Sequence, residues 1–137
     1  MTIVGFNFTK INAEKKEAAK DKINVSNNVS ISDIEEKKLS IGSEKQKILG
    51  FSFEFISKYE PDIGSIKLNG EILVMDDSSK AKDVLDGWKK GKKIPKEIMT
   101  DILNAILAKC HIHALILSEE INLPPPVPLP KLQAAEP

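Results

Sequence analysis

Apolar residues in this chain recur at every second position up to Val74 and at helical spacing beyond Asp76. A spacing of two lines one face of a strand and a spacing of 3.6 lines one face of a helix, so strands come first and helices afterwards. That order predicts an α+β domain, a four-stranded antiparallel sheet with a short and a long helix on one face. In residues 3–11, Val4, Phe6 and Phe8 share one side of a strand and Gly5, Asn7 and Thr9 the other. Ile23, Val25, Val29 and Ile31 mark a second strand, expected to bend at Asn27-Asn28 because Asn tolerates a bulge. The clearest strand is ILGFSFEFISKY, with Leu49, Phe51, Phe53 and Phe55 opposite Gly50, Ser52 and Glu54. The turn signal Glu60-Pro61-Asp62-Ile63-Gly64 joins it to a fourth strand through Ile66, Leu68, Gly70, Ile72 and Val74, its antiparallel neighbour. All five Phe residues thus fall on strands one and three. Residues 12–22 (NAEKKEAAKDK) carry charge without an apolar face and read as a solvated connection or a frayed strand end, the surface loop being preferred. The polar segment 35–47 separates strands two and three.

Ser78 or Ser79 can cap a short helix whose Ala81, Val84, Leu85 and Trp88 fall at helical spacing, and GWKKGKK ends it. Pro95 suits the first turn of the next helix, where its missing N–H has no partner to lose. Ile98, Met99, Ile102, Leu103, Ile106, Leu107 and Cys110 then form a broad apolar arc, opposite Thr100, Asp101 and Asn104. Beyond Cys110 the arc breaks: Lys109 and His113 enter it, while Ile112 and Leu115 fall on the polar side. Either the helix ends there and HIHALIL is extended, or it continues and another copy buries its far side through Ile112, Leu115, Ile116 and Leu117. Five prolines in the seven positions 124–130 stop any helix and favour polyproline II, with Leu123 extended ahead of them.

The 137 residues suit one domain, expected over residues 1–132 with a disordered tail at 133–137. Lys and Arg balance Asp and Glu at 20 each, and every basic residue is Lys. A neutral chain without guanidinium forks argues against nucleic acid as a partner. KILGFSFEF has the aromatic spacing of an RNA-stacking strand only loosely: Glu54 interrupts it, and no helix separates the early strands. One Cys excludes an internal disulfide, and MTIVGFNFTK lacks the basic-then-apolar signal pattern, so a cytoplasmic location is expected. Asp101, Lys109, His111 and His113 within the most apolar window argue against membrane insertion.

Candidate catalytic groups have simpler readings. His111 and His113 would point to nearly opposite sides of a helix, and no third or fourth ligand stands at recognisable spacing, so no metal is expected. Cys110 falls on the apolar arc as a small hydrophobe. Asp76-Asp77 precede Ser78-Ser79 at a strand-to-helix turn. No phosphate-binding glycine loop, nucleophile elbow or HExxH is present. Neither an enzyme nor a cofactor is expected.

Four strands with FSFEF and IKLNGEILVM, a helix opened in KKIPKEIMTDILNAILAKC and the stretch NLPPPVPLPKL together resemble the bacterial export chaperone SecB, over residues 3–132. The resemblance is to a short, archaeal-type member. The family's aromatic-basic signature at the start of the main helix is replaced by Lys96-Glu97-Ile98-Met99, and no second long helix or metal-binding tail follows KLQAAEP. Docking on the translocase motor in the bacterial manner is therefore not expected. The resemblance implies a homo-oligomeric holdase, a dimer or tetramer, that binds unfolded polypeptide without nucleotide in protein transport. Phe6, Phe8, Phe51, Phe53, Phe55, Trp88 and Met99 are then the expected polypeptide-binding residues, against a plainer reading of about half the rings as core. A second function class is an adaptor or structural subunit, for instance a ribosome-associated one, offering Pro124 to Pro130 to an aromatic groove on another protein. Such a segment more often packs along its own domain, for which Val127 and Leu129 supply apolar contacts.

Overall fold

The computed structural model describes residues 1–17, 22–38, 46–91 and 93–130; the expected tail at 133–137 lies outside them. Four strands, β1 (Thr2–Lys15), β2 (Asn24–Lys37), β3 (Gln46–Glu60) and β4 (Gly64–Asp77), precede two helices, α1 (Ser78–Gly91) and α2 (Lys96–Glu120). The sheet is antiparallel with strand order β1-β4-β3-β2, which places β3 and β4 inside and β1 and β2 at the edges. The four-strand, two-helix arrangement expected from the change of period is the one observed.

Two expectations are corrected. The charged segment after Ile11 does not leave the sheet at once: Asn12, Ala13, Glu14 and Lys15 pair with Lys67, Ile66, Ser65 and Gly64. Ladder hydrogen bonds need no apolar face, and Lys side chains are at home on an edge strand. The Asn pair is not a bulge either, since Asn27 and Asn28 lie in register with Ser57 and Ile56; the shift comes between Ile31 and Asp33. It lets Ile31 and Ile34, an odd number of residues apart, stand opposite Phe53 and Phe51 on one face. In β1, shifts between Ile3 and Gly5 and between Phe8 and Lys10 put Ile3, Phe6, Phe8 and Ile11 opposite Val74, Ile72, Gly70 and Leu68. Val4 therefore drops out of the face that Phe6 and Phe8 share.

The inner face of β3 and β4 is the core, with Phe51, Phe53, Phe55, Tyr59, Ile66, Leu68 and Ile72 all at most 1% exposed. Burying each such side chain stabilises the fold by about 1.5–3 kcal/mol before entropy is counted. The outer face carries Lys37, which meets Glu71 at 3.0 Å and Glu35 at 2.7 Å, and Lys67, 3.7 Å from Glu54. Partly exposed pairs of this kind contribute about 1 kcal/mol or less each, and they share this face with Ile48, which is only 3% exposed.

Helix α1 buries Ala81, Val84 and Leu85 and ends on Lys89 and Lys90, whose charges complement the helix dipole. Helix α2 follows Pro95 and runs unbroken past Cys110, which settles the choice between its two continuations in favour of helix. Its buried stripe is Ile102, Ile106, Cys110, Ala114 and Ser118, tapering from branched side chains to small ones. The prolines do not stop it. Asn122, at φ 55°, turns the chain into the left-handed region, and its N–H and that of Leu123 bond back to the carbonyls of Glu119 and Ser118. This is a Schellman closure completed before Pro124, and it delivers Leu123 into the core, only 6% exposed.

Candidate functional site

The groups that could carry chemistry are placed in packing roles. Cys110 is fully buried, and that burial pushes its thiol up to about 12, far from a reactive thiolate. His111 and His113 leave α2 on different flanks: the first ring meets Phe55 edge-on at 5.6 Å, the second meets Phe8 at 4.6 Å. They do not converge. Among the described residues no cluster of three or more His, Cys, Asp and Glu could hold a metal. Asp76 accepts the N–H of Asp77 at 2.8 Å and lies 4.0 Å from the chain's amino terminus, so it works at the strand-to-helix turn.

The rings expected to face a polypeptide divide according to topology. Phe51, Phe53 and Phe55 lie on an inner strand beneath α2, at 1%, 1% and 0% exposure, and are core rather than groove. Phe6 and Phe8 lie on edge strand β1 and remain half-buried, 5.1 Å apart and 5.2 and 6.2 Å from Phe53. Lys109 holds its ammonium 5.9 Å above Phe6, a cation–π contact at the margin. Trp88 on α1 and Met99 in the first turn of α2 are also half-buried.

The apolar surface left open lies elsewhere. Ile112 and Ile116 are 58% and 51% exposed, and with exposed Ala108 they form a ridge at four-residue spacing along the outside of α2. Leu115 and Leu117 flank that ridge half-buried. By length and composition α2 could cross a membrane, with mean hydropathy 1.3 and 22% of its most apolar window buried. Its inner stripe is committed to the sheet, so the apolar excess is this outer ridge.

Beyond Leu123 the proline segment lies back across the end of the sheet as a strap. Tyr59 donates its hydroxyl to the Pro124 carbonyl at 2.7 Å, and burial pushes that hydroxyl up to about 12. Asn27 donates its amide to the Pro126 carbonyl at 2.8 Å, while Ser57 donates to the other end of the same amide and fixes its orientation. An open groove of about 520 Å³ runs between the strap and the last turns of α2, walled by Leu115, Ile116, Leu123, Pro125 and Leu129. A second, of about 390 Å³, lies on the strap's other side against Val25. The proline segment was marked by its sequence and Asn27 was expected only at a bend; the anchoring roles of Asn27 and Tyr59 were missed, and a polar Asn on an inner-face position of β2 is the one signal that could have shown them.

No protein-family model matches the sequence, and no curated protein matches it. Among solved structures the chain is similar to a SecB-like chaperone from Mycobacterium tuberculosis, in complex with a ChAD peptide from the HigA1 antitoxin. The TM-score is 0.57 at 12% identity, over 98% of this chain and 92% of that one. The fold is SecB-like. At that identity the likeness concerns architecture, and it extends over nearly the whole chain.

Proposed function

We propose that this protein is a non-enzymatic holdase that binds extended, unfolded polypeptide through apolar surface, acting as a homo-oligomer in the cytoplasm and serving protein transport. The observation that carries this reading is the strap groove, an open channel with Leu, Ile and Pro walls and exposed Glu119 and Asn122 at its edge. Apolar walls with few fixed polar groups hold many sequences weakly rather than one sequence tightly. The complex of the structural neighbour with a peptide supports the same class of ligand. Half-buried Phe6, Phe8, Trp88 and Met99 extend the contact surface around the domain, whereas Phe51, Phe53 and Phe55 support it from the core. The ridge of Ile112 and Ile116, flanked by Leu115 and Leu117, is the contact between copies. The adaptor reading is the weaker one, because the proline segment is engaged by Tyr59 and Asn27 of its own sheet.

The test is light scattering joined to an aggregation assay on an unfolding client without nucleotide. The holdase reading expects an oligomer that delays aggregation at stoichiometric amounts, with Ile112→Glu, on the ridge but outside the groove, reducing the assembly to smaller species. A monomer that leaves the aggregation rate unchanged overturns it.

A further inference from the structure

The strap is held in an unusual way. The two carbonyls that the sheet grips belong to Pro124 and Pro126, two residues apart, and the side chains gripping them stand on successive inner-face rungs, Tyr59 opposite Val25 and Asn27 opposite Ser57. Rungs on one face of a strand repeat at roughly 6.7 Å. Carbonyls two residues apart in an extended or polyproline II chain repeat at nearly the same distance, roughly 6–7 Å. The grip thus reads main-chain geometry, and any extended segment offers the same acceptors at the same spacing.

We propose that Asn27 and Tyr59, with Ser57 orienting the Asn27 amide, form a reader of main-chain carbonyls for an extended apolar polypeptide, and that the strap is a resident occupant which an incoming segment displaces. This rests on the holdase reading and adds to it a binding mode and a built-in competitor. The strap is suited to displacement. Pro124, Pro125 and Pro126 have no N–H, so this stretch offers the sheet acceptors only, whereas an ordinary chain can also donate to the Asn27 carbonyl oxygen. Of the strap only Pro126 is buried, so displacement uncovers one buried side chain while Pro125, Pro128, Leu129 and Pro130 are already exposed, and open grooves on both sides give a second chain room to enter. Leu123, buried and tied to Ser118, is the fixed end from which the rest swings.

The experiment uses the full chain and two probes: a carboxymethylated, permanently unfolded polypeptide, and a synthetic peptide of sequence LPPPVPLP. Pro126→Gly with Val127→Ser loosens the strap without touching the reader. In this variant, shown to be folded by circular dichroism, the unfolded probe is expected to bind about tenfold more tightly, the factor that about 1.4 kcal/mol carries. The synthetic peptide is expected to bind the same variant and compete with the probe. Adding Tyr59→Phe or Asn27→Ala should weaken both ligands severalfold while circular dichroism stays unchanged. Unchanged or weaker probe binding on loosening the strap overturns the competitor, and failure of the synthetic peptide to bind overturns the reader. If the peptide binds but no variant takes the unfolded probe, the holdase reading fails and the carbonyl reader stands.

Discussion

Replacing Gly70 by Ala tests the packing of the aromatic face most directly. Gly70 lies on the inner face of β4, paired with Phe53 on β3 and Phe8 on β1, and the Phe53 ring lies over it. A Cβ built there meets the Asn7 carbonyl oxygen inside any tolerable contact and stands 2.7 Å from Phe53 Cζ. A ring can turn aside, but the carbonyl belongs to the β1 ladder and moves only if β1 moves. Overpacking that neighbours can absorb costs about 1–3 kcal/mol. With a backbone group in the way the upper end applies, set against about 0.4–1 kcal/mol returned by a less flexible unfolded chain. The expected net loss is therefore about 2 kcal/mol. Urea unfolding followed by the single Trp, Trp88, reads it as a midpoint lower by about 1 M for a slope near 2 kcal/mol per M, at fixed protein concentration because association adds apparent stability. Combining Gly70→Ala with Phe53→Leu should cost less than the two single changes summed, since the smaller side chain removes one of the two clashes. A variant within about 0.5 kcal/mol of wild type, with β1 amides still protected from exchange, would refute the account of Gly70 as a space reserved for the ring.

Two further predictions concern the helix end and the buried acids. Asn122→Val forces a β-branched residue into left-handed backbone and should cost about 1–2 kcal/mol in denaturant unfolding, whereas Asn122→Gly should be neutral within error. Burial raises the Cys110 thiol from its ordinary 9.0 to about 12 and the Tyr59 hydroxyl from 10.0 to about 12. Well below pH 9 both are protonated in the folded and the unfolded chain. Above it the unfolded thiol ionises while the folded one does not, so stability should hold to pH 9 and fall between pH 9 and 12. Cys110→Ala should delay the onset of that fall by about one pH unit, and native Cys110 should resist alkylation at pH 8 until the chain unfolds.

Much of the fold was legible because it rests on periodicity. The alternation in FSFEF and IKLNGEILVM could serve only a sheet with one buried face, and the helical arc from Ile98 to Cys110 could serve only its cover. Bulges were harder to read, because a shift such as that between Ile31 and Asp33 is chosen by pairing with β3 rather than by Ile31, Ser32 or Asp33 themselves. About half of the aromatic rings were expected to be core, but which half was not legible, for a related reason. Alternation places Phe8 and Phe53 on the same face, but only the strand order makes one marginal and the other core. That the proline segment packs along its own domain was legible in Val127 and Leu129, but its anchors were not, since Tyr59 and Asn27 stand 65 and 99 residues away from the carbonyls they hold.

The taper along α2, from Ile102 to Ser118, inverts the usual economy of a surface helix. Toward its C-terminus the inward positions have room only for Ala114 and Ser118, while Ile112 and Ile116 stand outside. Size is the constraint beneath the helix and polarity the freedom above it. The outer positions could accept charged residues with no loss to the monomer's core, so a population of variants selected for folding alone should let Ile112 and Ile116 drift to polar residues and hold Ala114 small. Selection for the assembled, polypeptide-binding state should keep all three.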